Sequence, residues 1–439
     1  MDDERLEARL RLDPTGDRRH VVGQFRDRLA SAAAAPVRTA RPRVARQPVG
    51  ALLVAGIVIA VLVAVRPTGP GGQPTSSPSP SPSLSLTSAA LQAIVETWAR
   101  ANGTPVVTVA VLGPTGEMWS AAVAPSGGAV PKVDARARIG ETSRMFLISA
   151  VLALDACGRL APGAPGCPPR PSEGALSIDD HVSRWLPDWP TPDDTTVRSL
   201  LEGSSGLAPV GPTIADLRSR IALNPEADWS RATLLATAVQ APRRFAPGAR
   251  SEPVDTEYML LEDILTRSSG RQAGLWIDET TALHLGLNAT FIVEVAPGAL
   301  LAGQPHSGGP IADLDPLTLA IIGNEGGMAS TSIDLARFAA AAWGSTIILD
   351  QRSVETINDA AHGHRSPLGA RGSCPCRGDT RSIISTTGHA VGWSTLAAYD
   401  LENRISLAAV LGTDVSDAAL DSLWMAIVER VSGEAVPGS

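Results

Sequence analysis

Apolar residues are arranged along this chain in three ways, and each arrangement predicts a different element. Between Arg46 and Arg66 there is no charge, and Val49–Val65 (VGALLVAGIVIAVLVAV) is almost wholly apolar. As a helix such a run spans about 26 Å, close to the roughly 30 Å of a bilayer core, and it predicts one transmembrane helix over 49–65. A cleaved signal peptide is the rival, but the preceding segment is much longer than a signal n-region and no convincing small-x-small cleavage site follows. Residues 87–100 instead place apolar side chains at helical spacing behind a Thr/Ser cap. Val106–Leu112 and Glu117–Ala124 alternate around Gly113-Pro114-Thr115-Gly116, a hairpin signal. Thr142–Ala156 is apolar enough to predict a mostly buried helix. Gly392–Asp400 and Arg404–Gly412 form a second strand pair around Asp400–Asn403, and Ala418–Val431 reads as a closing helix. Strands from both ends with a helix-rich middle predict one sheet built from the two termini, beside a helical lobe.

The charge is unevenly placed. Of the formal net charge of −8, residues 1–48 contribute +4 from eleven Arg against seven Asp and Glu, which leaves −12 on the remainder. A body this acidic argues against a nucleic-acid partner. Arg38, Arg41, Arg43 and Arg46 precede the apolar run, whereas no charge follows Arg66 until Glu96. The positive-inside rule then leaves 1–48 as a cytoplasmic tail and puts the long C-terminal part outside a cell membrane crossed once. That tail reads first as a solvated charged segment, with a cytosolic partner as the lesser alternative. Residues 66–86 are a Pro/Ser/Gly-rich linker able to hold the domain over 87–435 on the order of 60 Å from the bilayer.

Cys157, Cys167, Cys374 and Cys376 all fall on the predicted outer side, where disulfides persist. Three pairings are open, and Cys157 with Cys167 would close a Gly/Pro loop without strain. His362 and His364 near Cys374-Pro375-Cys376 could be drawn as a metal site, but an oxidising setting favours disulfides, and the sequence calls for no metal or cofactor.

Six stretches carry a resemblance when taken together and in order. They are Arg138-Ile139-Gly140-Glu141-Thr142-Ser143-Arg144-Met145-Phe146, Leu176 to Pro187 (LSIDDHVSRWLP), Thr196 to Leu207 (TVRSLLEGSSGL), Pro247-Gly248 followed by Tyr258-Met259-Leu260-Leu261, Leu285 to Thr290 (LGLNAT), and Gly326 to Phe338 (GGMASTSIDLARF). They resemble R-I-G-S-x-T-K-x-F, L-x-L-D-D-P-V-x-x-Y-L-P, T-I-R-x-L-L-x-H-T-S-G-L, P-G-x-x-F-x-Y-S-N-x-x-Y-x-L-L, L-G-M-x-x-T and G-G-L-x-S-T-x-x-D-L-A-R-F of the class C-type serine β-lactamase and DD-peptidase family. The likeness covers roughly 90–432. It implies an α/β sheet lobe with flanking helices plus a helical lobe, with the active site between them.

The catalytic positions are where the resemblance fails. In the family a serine attacks a carbonyl carbon and a lysine at i+3, on the same helix face, helps take its proton. Here those positions hold Glu141 and Arg144, and the sole lysine, Lys132, follows Ala129 by three residues, so no other Ser-x-x-Lys exists. The Y-x-N motif aligns with Pro253-Val254-Asp255, which loses the relay tyrosine and the amide donor. The K-T-G or H-x-G strand motif is best matched by Gly388-His389-Ala390-Val391-Gly392-Trp393, with His389 in first place and Val391 or the later Gly392 at the glycine.

Ser143 is turned about 200° from Glu141 on a helix, and Ser205 lies in a structural turn. Neither a G-x-S-x-G elbow nor an H-E-x-x-H is present. An ion pair between Glu141 and Arg144 at the helix start is expected to fill the pocket. The implied function is a membrane-anchored, catalytically inactive serine-hydrolase-like domain that binds, senses or scaffolds peptidoglycan or another envelope component. The alternative is an active DD-carboxypeptidase, β-lactamase or esterase with a divergent site.

Overall fold

In the computed structural model the described residues are 88–432, except 165, 193, 211–222, 225–226, 283–284, 293–326, 363–370, 373–382 and 391. The apolar run at 49–65, the linker, the N-terminal tail, Cys374 and Cys376 lie outside them. Among the described residues no helix is long and apolar enough to cross a membrane.

The chain enters through helix α1 (Ser88–Ala101) and the hairpin β1 (Val107–Leu112) and β2 (Met118–Val123). A short strand β3 (Ala137–Arg138) leads into a 3-10 turn (Gly140–Ser143) and then α2 (Arg144–Arg159). The helical lobe follows as α3 (Val182–Trp185), α4 (Val197–Leu201), α5 (Arg231–Gln240), α6 (Asp255–Ser269) and α7 (Ala273–Ile277), which runs into a π-helical segment (Asp278–Ala282). The return comprises β4 (Phe291–Ile292), β5 (Met328–Ser330), α8 (Ser332–Gly344), α9 (Gln351–His362) and β6 (Arg371–Gly372). Strands β7 (Ile383–Ala390), β8 (Trp393–Asp400) and β9 (Ile405–Leu411) and helix α10 (Asp417–Ser432) close the chain.

Six strands form one antiparallel sheet in the order β2-β1-β9-β8-β7-β6, so the N-terminal hairpin adds to the C-terminal meander along β1 and β9. The expected sheet from both termini is present. Alternation along the strands serves two cores. Val107, Val109 and Val111 of β1 and Leu407, Ala409 and Leu411 of β9 face α1 and α10, which answer with Leu91, Val95, Trp98, Leu420, Leu423, Trp424 and Ile427 at helical spacing. Ala110, Ala408 and Val410 face the other way, toward α2 and the helical lobe. Helix α2 is buried from Met145 to Leu152 without a break, so it forms the axis of the larger core. That burial fixes the start of α2, where the candidate site lies. A small sheet of order β3-β5-β4 buttresses the same point, with the Ile139 amide donating to the Met328 carbonyl at 3.1 Å.

Cys157 at the end of α2 is bridged to Cys167, one of the three pairings open from sequence. Arg170 closes the loop by donating to the carbonyls of Gly158 and Leu160.

Candidate functional site

The turn before α2 is pressed against the β7 backbone. Gly140 has φ +50°, and a Cβ there would meet the His389 carbonyl oxygen at 2.5 Å; a Cβ on Gly388 would meet the Ile139 oxygen at 2.0 Å. Thr142 and Thr395 hydroxyls lie 2.8 Å apart, and Thr395 also donates to the Ile139 carbonyl. Gly388, ahead of His389, is the glycine at which the turn before α2 approaches the strand backbone. Gly392 instead sits at the β7–β8 turn with φ +83°, its amide donating to Asp414 Oδ1 at 3.1 Å. Val391 lies outside the described residues.

Glu141 projects from this turn, and its Oε2 accepts the His389 amide at 2.6 Å. The β7 N–H of His389 is therefore already taken by a carboxylate of the same chain. Arg144, expected from the sequence to pair with Glu141, makes a longer-range ion pair. Arg144 reaches across to Asp255 Oδ1, and its guanidinium carbon lies 4.3 Å from the centroid of the Tyr258 ring. The reason is positional: Asp255 and Tyr258 lie one turn apart at the start of α6, where a carboxylate is favoured by the helix dipole and an aromatic face is available to a cation. Pro253 serves as a wedge, since a Cβ on Gly203 would meet its Cγ at 2.5 Å. The four degenerate positions Glu141, Arg144, Pro253 and Asp255 thus converge in space, with His389 beside Glu141.

Two carboxylates here escaped the sequence reading. Glu257, 1% exposed, accepts hydrogen bonds from the Ser205 amide (3.2 Å), the Ser205 hydroxyl (2.5 Å) and the Val254 amide (3.0 Å). Burial pushes its carboxyl up to about 7, against the pull of those donors and of Arg144. An acidic residue three positions after a helix cap was the available signal. Asp417, in the first turn of α10, has Oδ1 2.9 Å from His389 Nε2. That bond raises the imidazole above its ordinary range; burial opposes it, and the nearby Glu141 carboxylate adds to it.

Ser394, His389 and Asp417 follow one another in the order hydroxyl, imidazole, carboxylate, with Ser394 Oγ 3.4 Å from His389 Nδ1. Ser394 is nonetheless fully buried, and its oxygen also accepts the Val415 amide at 2.9 Å. It orients the ring and is closed to a substrate. Ser143 is fully buried too, and Ser205 is committed to Glu257. No group of His, Cys, Asp and Glu among the described residues is arranged to hold a metal ion. A pocket of about 290 Å³ opens elsewhere on the helical lobe, between Trp189, Asp188 and the second half of α6.

The Beta-lactamase family profile matches residues 91–432. Solved structures share the fold. A D-stereospecific amidohydrolase from Streptomyces sp. superposes with TM-score 0.63 at 22% identity, covering 79% of this chain and 99% of its own. A D-amino acid amidase from Ochrobactrum anthropi SV3 gives 0.60 at 17%, covering 78% and 96%. The octameric penicillin-binding protein homologue from Pyrococcus abyssi gives 0.61 at 17%, covering 79% and 78%. No curated protein matches the chain in sequence.

Proposed function

The chain belongs to the Beta-lactamase family, and from that premise we propose that its cleft binds a ligand without acylating, the domain acting as a sensing or scaffolding module at the cell envelope. One observation carries this reading: the nucleophile's position holds Glu141, whose carboxylate occupies the His389 amide. Acyl transfer needs a nucleophile, a base for its proton, and free donors where negative charge develops on the substrate oxygen. Glu141 brings a negative charge to that point. Arg144, charged at all working pH values, accepts no proton. Its guanidinium is engaged by Asp255 and Tyr258. Pro253 has no ionisable group, and Ser143, Ser205 and Ser394 are buried.

Support for an envelope setting comes from the apolar run at 49–65 and the Arg-rich segment before it, which favour a single membrane anchor with the domain outside. The bridge between Cys157 and Cys167 accords with an oxidising compartment. Peptidoglycan or another envelope component is the proposed ligand class. Intact-mass measurement after exposure to a β-lactam or an acyl-phosphonate tests the reading. No adduct is expected; a stable stoichiometric adduct would overturn it.

A further inference from the structure

We propose that the cleft is coupled to helix α1 through the first turn of α10, so that the state of the His389 site is relayed to the segment joining the domain to the preceding chain. Three bonds tie the cleft strands to residues 414–417. The Gly392 amide donates to Asp414 Oδ1 at 3.1 Å, the Val415 amide to Ser394 Oγ at 2.9 Å, and His389 Nε2 lies 2.9 Å from Asp417 Oδ1. Asp417 opens α10, and the next residues of that helix hold α1. The Trp98 indole N–H is shared between the Ala419 carbonyl at 3.1 Å and Ser422 Oγ at 2.9 Å, while the Ser422 hydroxyl donates back to Ala419.

Three residues, Asp417 to Ala419, therefore link the His389 imidazole to the indole of the first helix. Its two ends differ in environment. His389 and Asp417 are 41% and 49% exposed, so a ligand or a proton can reach them, whereas Trp98 is buried against Leu420, Leu423 and Trp424. A packed helical turn passes on a displacement of its first residue because the core behind it does not deform continuously. Among the described residues, the charged groups facing His389 are Glu141 from the 3-10 turn, Asp414 from the β9–α10 connection and Asp417 from α10, with Ser394 of β8 as a neutral partner. All three charges are negative. Protonated His389 draws Asp417 toward the cleft, and the neutral ring releases that pull.

The coupling stands apart from whether the cleft acylates, and its test needs no ligand. The full chain in detergent micelles, carrying fluorine-labelled tryptophan and carbon-13-labelled histidine, is titrated with pH while both resonances are followed. Trp98→Phe and His389→Gln assign the lines, and Trp185, buried in the helical lobe, reports that the fold is kept. The Trp98 line is expected to move with the same midpoint as His389. In Asp417→Asn, His389 should titrate at lower pH while Trp98 stays still and Trp185 is unchanged. A Trp98 line that stays flat through the His389 titration, or that still moves in His389→Gln or Asp417→Asn, would overturn the coupling.

Discussion

The backbone amide of His389 donates to the Glu141 carboxylate across 248 residues of sequence, at 2.6 Å. This bond joins the start of the buried axial helix to the strand lining the cleft, and it adds a negative charge beside the His389 ring. Glu141→Ala removes that charge. The His389 pKa, held up first by Asp417 and further by Glu141, is expected to fall toward its ordinary value without reaching it. Histidine resonances across pH would show this, and an unmoved midpoint would contradict the placement of Glu141.

Arg144 is a planar cation over an aromatic ring, with a carboxylate at one edge. Lysine cannot reproduce that fork or that stack. Arg144→Lys should lower unfolding stability by roughly 1 kcal/mol, kept small because Asp255 is 41% exposed. The double variant Glu141→Ser with Arg144→Lys should still form no β-lactam adduct by intact mass, because Pro253 and Asp255 leave the relay and the amide donor missing. Adduct formation would show that two substitutions suffice to restore the site.

The sheet was legible because period-two alternation is a local property: the predicted hairpin runs Val106–Leu112 and Glu117–Ala124 match the observed Val107–Leu112 and Met118–Val123. Helix α2 was legible from its apolar content, although its first turn is 3-10, so the helix proper starts at Arg144 and not Thr142. Strand β7 is not legible from periodicity, since Ser385-Thr386-Thr387-Gly388-His389 shows no apolar alternation; the resemblance alone pointed to a strand, and only from Gly388 on. Motif spacing located Glu141, Arg144, Pro253 and Asp255, but it could not say which charges pair. The i+3 rule pointed Arg144 to Glu141, whereas the chosen partner is 111 residues away on another helix. Asp417 was invisible for the same reason, as its significance comes from residues brought close only by folding, whereas Glu257 carried the local signal of an acidic residue three positions after a cap.

Gly388 permits the closest backbone approach at the site. A methyl group there would lie 2.0 Å from the Ile139 carbonyl oxygen and 2.7 Å from the Thr142 amide, neither of which belongs to a flexible side chain. Gly388→Ala should cost roughly 2–3 kcal/mol through backbone displacement. Comparing its denaturant midpoint with that of Gly128→Ala, at a site with open space, provides the check.

Removing the bridge between Cys157 and Cys167 frees a loop with a sequence separation of 10. Chain-entropy reasoning gives a loss of about 2–3 kcal/mol for Cys157→Ser with Cys167→Ser. An equal midpoint for the double variant and the oxidised parent, by chemical denaturation, would show that the loop contributes no net stability.

Glu257 sets the sign of a pH effect on stability. Its carboxyl lies at about 7 in the folded chain against an ordinary 4.5, because burial outweighs its hydrogen bonds. The folded state therefore holds the proton more tightly than the unfolded one. The resulting stabilisation is complete below the unfolded value and is lost as pH rises through 4.5 toward 7. The difference corresponds to about 3 kcal/mol at full ionisation. Glu257→Gln cannot ionise, so its denaturation midpoint should decline less between mildly acidic and mildly alkaline pH than the parent's. Parallel pH profiles for the two proteins would mean that the carboxyl titrates alike folded and unfolded, and that the Ser205 and Val254 donors fully offset its burial.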